Sequence, residues 1–432
     1  MSIKAKFDSF NVTTDVATTT HAHTGYGGIP TLLIPFLIGR TEAANASGAA
    51  DHKRAIGGGR STADRHFVAT QSQNGQAAAV TDQGARLDSL IGSISTAGAW
   101  SGYLDINSMD ADGWTDVVDL QFATSFRAHL LAIMGAATEM VHVTEPAAAG
   151  VQTIGITGRA KAIYIVSVAG AVAPPTIVGD SRFMVGVAVD ANGTIKNGIL
   201  AGSSNDGSDP TVTVSYCRAG SGAAGDSFVG ISNDHSGLNS RGRVTQMNVA
   251  DQFQITWDEV IGDQARDHLC FVIYEGEHDI INVTTATNTT PFNVAHGNFR
   301  AEGGMSFSAD LASPSTADVL DDKDEISIGA FAWNAAGTLE QGSMNNRDGD
   351  AAATTDVDTG IRFDGVHLNL TAAGAVDAVM AVTARGQGQL TFQMVDADPN
   401  ARQAWVWVFG NAAADDRTTF RGIGRGILRG GV

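Results

Sequence analysis

One pattern recurs three times along the chain, and it restricts the fold more than any other feature. DGWTDVVDLQFATSFRAHLLAIMG at 112–135, DQFQITWDEVIGDQARDHLCFVIYEG at 251–276 and GQLTFQMVDADPNARQAWVWVFG at 388–410 each read as an alternating strand, a polar turn and a dense apolar strand closing on glycine. Successive side chains of a strand point to opposite faces. Val118, Leu120 and Phe122 are therefore expected on one face, as are Phe253, Ile255 and Trp257, and Leu390, Phe392 and Met394. The closing strand is apolar on both faces, which predicts cover on both sides. A repeat spacing above about 100 residues marks duplicated domains, because solenoid repeats recur every 20–50 residues or so.

A second marker joins two of the copies. GVAVDANGTIKNG at 186–198 matches GAFAWNAAGTLEQG at 329–342, each a hairpin turning at Asn192-Gly193 or Ala336-Gly337. IGGGRSTADRHFVATQSQNG at 56–75 is a weaker counterpart in the first copy. A chain of 432 residues suits roughly three domains, and 51 glycines against 9 prolines suit many tight turns. The expected class is mostly β: three tandem antiparallel β-sandwiches, jelly-roll-like, at 1–147, 148–290 and 291–412, followed by an extended arm at 413–432. Linkers are expected at 144–150 and 283–291, and a short helix at 41–56.

An opening apolar strand, a Gly-rich hairpin and a closing unit of the form DADGW…RAHLLAIMG resemble the tandem β-sandwich modules of structural proteins from tailed bacteriophage virions. Asp110 to Trp114 carry that element intact in the first copy, where the others have VADQF at 249–253 and GQGQL at 386–390. The resemblance implies a virion component and carries no catalytic residues across.

The formal net charge of -19 opposes binding of a phosphate backbone by the body of the protein, since such affinity comes from cations that release counterions. IPTLLIPFLIG at 29–39 is too short to span a bilayer, so no membrane partner is expected, and MSIKAKFDSF lacks a secretory signal, which predicts synthesis in the cytoplasm. Cys217 and Cys270 fall in apolar runs and are expected as reduced core thiols.

Several motifs carry a chemical reading beside a plainer one. HAH places His21 and His23 on one strand face, as two metal ligands or as surface imidazoles; no third ligand lies near in sequence, and no metal or other cofactor is expected. Asp206 with Asp209, and Asp348, Asp350, Asp356 and Asp358, suggest calcium or, more simply, solvated turns. GGGRST at 57–62 lacks the lysine of a phosphate loop and reads as a flexible turn. No spacing suggests a nucleophile triad, and no catalytic residue is assigned. Arg127, Arg266 and Arg402 occupy one repeated place before the closing strand, as ligand contacts or as braces for loop carbonyls.

The ending RTTFRGIGRGILRGGV reverses the charge of the chain. Its glycines oppose a helix, so an extended arm is expected to hold an acidic neighbour through Arg417, Arg421, Arg425 and Arg429 while Phe420, Ile423, Ile427 and Leu428 enter a groove or add to a sheet edge. The expected function is a non-enzymatic virion structural protein, a capsid-associated or decoration component assembled in the host cytoplasm, whose partners are copies of itself and other virion proteins. The alternative is a tail-fibre receptor- or carbohydrate-binding protein that takes a host-surface glycan on Trp100, Tyr103 or Trp333. A polysaccharide depolymerase, with paired carboxylates in a cleft, is a third class.

Overall fold

The computed structural model describes residues 2–76, 80–168, 177–179, 181–204, 213–221, 226–231, 240–260, 267–309, 324–349 and 356–412. Among these residues every regular element is a strand and every pairing is antiparallel, so the mostly-β, sandwich-type class is observed. The arm at 413–432 lies outside the described residues.

In chain order the strands are β1 (Lys4–Val12), β2 (Thr20–Thr24), β3 (Pro30–Leu37), β4 (Ala46–Ala49), β5 (His52–Gly59), β6 (Arg65–Ser72), β7 (Thr81–Arg86), β8 (Ile91–Ile94), β9 (Trp100–Asp110), β10 (Gly113–Leu120) and β11 (Phe126–Met134). A second run follows: β12 (Thr138–Thr144), β13 (Gly150–Gly155), β14 (Ala162–Val168), β15 (Ile177–Gly179), β16 (Ser181–Ala191), β17 (Thr194–Ser204), β18 (Thr213–Gly220), β19 (Val229–Ile231), β20 (Ser240–Gln246), β21 (Gln252–Glu259) and β22 (Asp267–Ile273). The third comprises β23 (Glu277–Thr284), β24 (Phe292–Ala309), β25 (Asp324–Trp333), β26 (Leu339–Gly349), β27 (Asp356–Arg362), β28 (His367–Leu370), β29 (Val376–Asp396) and β30 (Gln403–Ala412).

Each run builds the same two layers. The larger layer has the order β1-β11-β3-β5-β6-β7, then β12-β22-β14-β16-β17-β18, then β23-β30-β24-β25-β26-β27. The smaller has the order β2-β10-β9-β8, then β13-β21-β20-β19. In the third run it is assembled from the start of β24, from β29 and from β28. There β24 shifts register between Ala295 and Arg300 and passes from one layer into the other. β29 doubles back at Gly388 (φ 73°): Thr383 Oγ1 lies 3.4 Å from the Thr391 carbonyl, whereas eight residues of straight strand would span about 26 Å. The chain leaves the first pair of sheets after Met134 and the second after Ile273, upstream of the expected linkers. Residues 144–150 and 283–291 instead carry the chain between the two layers of one unit.

A single row of side chains crosses each larger layer in matching register: His129-Phe36-Ile56-Val68-Ala85, Leu269-Val166-Val185-Leu200-Cys217 and Trp405-Phe307-Ile328-Met344-Ile361. In each row the β5, β16 or β25 residue is followed by a glycine, Gly57, Gly186 or Gly329, where an added Cβ would sit 2.2, 1.9 or 2.0 Å from the carbonyl oxygen of Leu90, Phe228 or Val366. The same close approach recurs at the corresponding place in all three strand runs.

Period two then decides the packing. In β14, Ile163 and Ile165 face the partner layer of their own unit, where they meet Val244, Phe253, Ile255 and Trp257. Tyr164, Val166 and Val168 face away, into one cluster shared with Phe36, Ile56 and Val68 of the first unit and Phe307, Ile328 and Trp405 of the third. The larger layers therefore wall a common central core, and this is why the closing strands are apolar on both faces.

The local expectations are met unevenly. Phe253, Ile255 and Trp257 share a buried face, as do Leu390, Phe392 and Met394, but Leu120 is exposed while Val118 and Phe122 are buried. A bulge between Val118 and Leu120 turns the chain over there. The repeated pair of strands is not a hairpin: β10 and β11, like β21 and β22, belong to opposite layers. No helix occupies 41–56; β4 and β5 lie there, and between His52 and Ile56 every residue but Lys53 is buried. The hairpins at 186–198 and 329–342 are present as β16-β17 and β25-β26, and β5-β6 stands in their place in the first unit. Asn192 (φ 52°) and Gly193 (φ 89°) both take the left-handed conformation that a two-residue turn needs. Cys217 and Cys270 are buried free thiols, and burial pushes the Cys217 thiol up to about 12.

Candidate functional site

The arrangement offers three seams, where each unit meets the next in cyclic order. At the first to second seam, Tyr164 donates to the Gly57 carbonyl at 3.3 Å, the Phe271 ring fills the space over Gly58, and Arg60 donates to the Thr138 carbonyl. At the second to third, Trp405 Nε1 donates to the Ile199 carbonyl at 3.0 Å with its ring over Gly198, and Lys196 pairs with Asp279 and donates to the Ile280 carbonyl at 3.1 Å. At the third to first, His129 Nε2 lies 3.0 Å from the Arg362 carbonyl and against Gly342, and Lys6 pairs with Glu340 at 2.9 Å. Two seams are reinforced by strand addition: β15 joins the free edge of β7, and β4 joins the edge of β27.

Where the three larger layers converge, one charge is fully enclosed. Arg54, 1% exposed, donates to both carboxylate oxygens of Asp324 at 3.3 and 3.2 Å, to Asn346 Oδ1 at 3.1 Å and to Thr70 Oγ1 at 3.2 Å. Its guanidinium lies 4.4 Å from the centre of the Phe183 ring. One side chain of the first unit thus holds groups of the second and third. Sequence reasoning passed over Arg54; the signal was a lone arginine on the inward face of HKRAIGGG.

The expected sites fare differently. Arg417, Phe420, Arg421, Ile423, Arg425, Ile427, Leu428 and Arg429 lie outside the described residues, as do Arg266, Asp206, Asp209 and Asp350. His21 and His23 do share a face, and both turn onto one carboxylate. His21 Nδ1 and His23 Nε2 lie 2.7 and 2.9 Å from the two oxygens of Asp116, and Asp15 reaches His21 Nε2 at 2.9 Å. Burial opposes protonation of His21, but Asp116 and Asp15 together raise its pKa. His23 also stacks on Trp114 with ring centres 4.3 Å apart. Among the described residues no group of three or more His, Cys, Asp or Glu is placed to hold a metal ion.

Asp348 and Asp358 are 1% exposed strand residues rather than solvated turns: Asp348 accepts from Ser72 of the first unit at 2.8 Å, and Asp358 lies 3.7 Å from Arg347. In GGGRST only Arg60, Ser61 and Thr62 lie in a bend, between β5 and β6, whereas the glycines end β5 and permit the approach of Leu90 and Phe271. Arg127 and Arg402 are not equivalent. Arg127 stands two residues before His129 and bonds Ser9 and Asn11 on the sheet surface, whereas Arg402 stands three before Trp405 and is buried with Asp377 and Asp398. The polar turn varies in length, so counting back from the apolar run misaligns them. Trp100 and Tyr103 lie beneath Arg86, and Trp333 beneath Arg385, so a ring face of each is already occupied by a guanidinium.

Two of the seams leave open grooves. One, of about 370 Å³, is bordered by Lys196, Gly220, Asn282 and Ala295. The other, of about 430 Å³, lies between the start of β1 and the β25-β26 hairpin and is bordered by Lys4, Tyr26, Arg300, Glu302, Trp333 and Arg385. No helix among the described residues is long and apolar enough to cross a membrane. No protein-family model matches the chain, and a search of curated proteins found no significant match.

Proposed function

We propose that this chain is a non-enzymatic structural protein of a tailed-bacteriophage virion, a capsid-associated or decoration component that acts as a single-chain counterpart of a trimer. The observation that carries the reading is the cyclic packing of three like sandwiches around one core. Closed homo-trimers obtain such packing from three copies, and here one polypeptide supplies all three units with seams that differ in sequence. A rigid block of this kind suits a lattice position with three-fold or near three-fold surroundings. The acidic body keeps it soluble at high copy number, and the basic arm from Arg417 to Arg429 ties it to acidic surfaces of neighbouring copies or other virion proteins.

Mass spectrometry and imaging of purified particles test the proposal. The expected result is a stoichiometric component seated singly on three-fold or near three-fold positions. Absence from particles, or trace abundance, overturns it. Truncation after Ala412 is expected to leave a folded protein that no longer incorporates; incorporation at full level would remove the arm from the proposal.

A further inference from the structure

The three seams rest on one scaffold, so each serves as a control for the others. In the first to second seam, Arg60 is spent on the Thr138 carbonyl and on Asp64. The groove of the second to third seam has Lys196 at its border, already held by Asp279. The groove of the third to first seam differs: Lys4, Arg300 and Arg385 stand around it with one carboxylate, Glu302, which Arg385 holds at 2.8 Å. Lys4 and Arg300 are exposed and make no ion pair or side-chain hydrogen bond among the described residues. Two uncompensated cations thus face one concavity on a chain whose net charge is -19.

The remaining wall is mixed: Ala335 and Ala336 beside Trp333 give an apolar patch, Ser2 and Asn334 add polar groups that suit sugar hydroxyls, and the volume of about 430 Å³ lies within the range of small-ligand sites. A bare inorganic anion would satisfy the cations and leave that wall wet. A pyranose ring bearing a carboxylate satisfies both, with the carboxylate between Lys4 and Arg300 and the C–H face of the ring against the alanines. Recognition of this kind needs no stacking on Trp333, whose ring is capped by Arg385 at 4.6 Å.

We propose that the groove between β1 and the β25-β26 hairpin binds an acidic saccharide, a uronic- or sialic-acid-containing glycan, through Lys4 and Arg300. The site is independent of the virion role: a chain missing from particles would leave the binding intact, and absent binding would leave that role untouched. Titration calorimetry on the full chain tests it with a glucuronate-containing tetrasaccharide, a neutral tetrasaccharide of the same length, and inorganic phosphate. The acidic sugar is expected to bind and to weaken with salt, while Lys4→Ala and Arg300→Ala each weaken it by roughly threefold to fivefold. Both side chains are exposed, so the variants are expected to melt with the parent. The proposal is overturned if the neutral sugar binds as well as the acidic one, if phosphate binds and the sugar does not, or if neither substitution changes the affinity.

Discussion

Arg54 shows how much depends on single side chains where the three units converge. Enclosing a charge is tolerated only when it is paired and its donors are satisfied, and Asp324, Asn346 and Thr70 do both. Asp324→Ala is expected to destabilise the protein by about 3–5 kcal/mol, because it leaves the guanidinium buried without a counter-charge. Arg54→Met combined with Asp324→Leu is expected to cost far less than the sum of the single changes. Urea denaturation of the parent, the single variants Arg54→Met and Asp324→Leu and the double variant measures the coupling, and additive losses would show that the pair does not act as a unit. Gly57, Gly186 and Gly329 allow a parallel test. Alanine at any of them forces a Cβ to within about 2 Å of a backbone carbonyl, so each is expected to lose at least 2 kcal/mol or so, whereas Gly193→Ala, with open space around it, costs only the left-handed penalty of about 1 kcal/mol. Similar losses at the three buried glycines are what equivalence of the units requires.

At the level of the strands, the sequence was most legible where burial imposes a strict period. Phe253 to Trp257 and Leu390 to Met394 declare their inward faces because one side of each strand meets a core, and Asn192-Gly193 declares a turn because few residues accept its backbone. Leu120 was illegible because a bulge reverses facing without any change in composition. The helix expected at 41–56 failed for a tertiary reason: Ala46–Ala49 has no marked strand preference of its own, and it is extended because it completes the edge of β27 in another unit. The same non-local cause hid the seams, since Lys6, Arg60 and Lys196 acquire meaning only from partners far along the chain. Strand addition should be measurable. Ala46→Pro, at a hydrogen-bonded position opposite Ile361 in the register, is expected to open the edge of β27 and speed amide exchange at Thr359 and Ile361, while exchange in β14 stays slow.

For the whole molecule, the shared core makes the units interdependent. An isolated second unit would expose Tyr164, Val166, Val185 and Leu200 together, an apolar face too large for a soluble monomer, so a single cooperative unfolding transition of the full chain is expected. Acid should weaken it through imidazoles buried in and near the seams. Burial holds His66 and His129 down at about 3 and His278 at about 4, and keeps His52 well below its usual range. An unfolded histidine takes up a proton near pH 6.5, so between that pH and about 4 the unfolded chain binds more protons than the folded one, and stability falls as pH falls. Each group contributes about 1.4 kcal/mol per pH unit once pH is well below 6.5. Asp105, pushed up to about 6 chiefly by burial although Arg65 holds it, acts in the opposite sense between about 4 and 6 and offsets roughly one of the four. The urea midpoint is therefore expected to be level between about pH 7.5 and 8, below the range where unfolded cysteines ionise and the buried thiols Cys217 and Cys270 do not, and to drop steeply between about 6 and 5. His129→Gln keeps a donor for the Arg362 carbonyl and removes the titration, so it should make that drop shallower by the share of one group. A midpoint unchanged down to pH 5 would mean that these imidazoles are not closed to protons, and that the seams are looser than their packing implies.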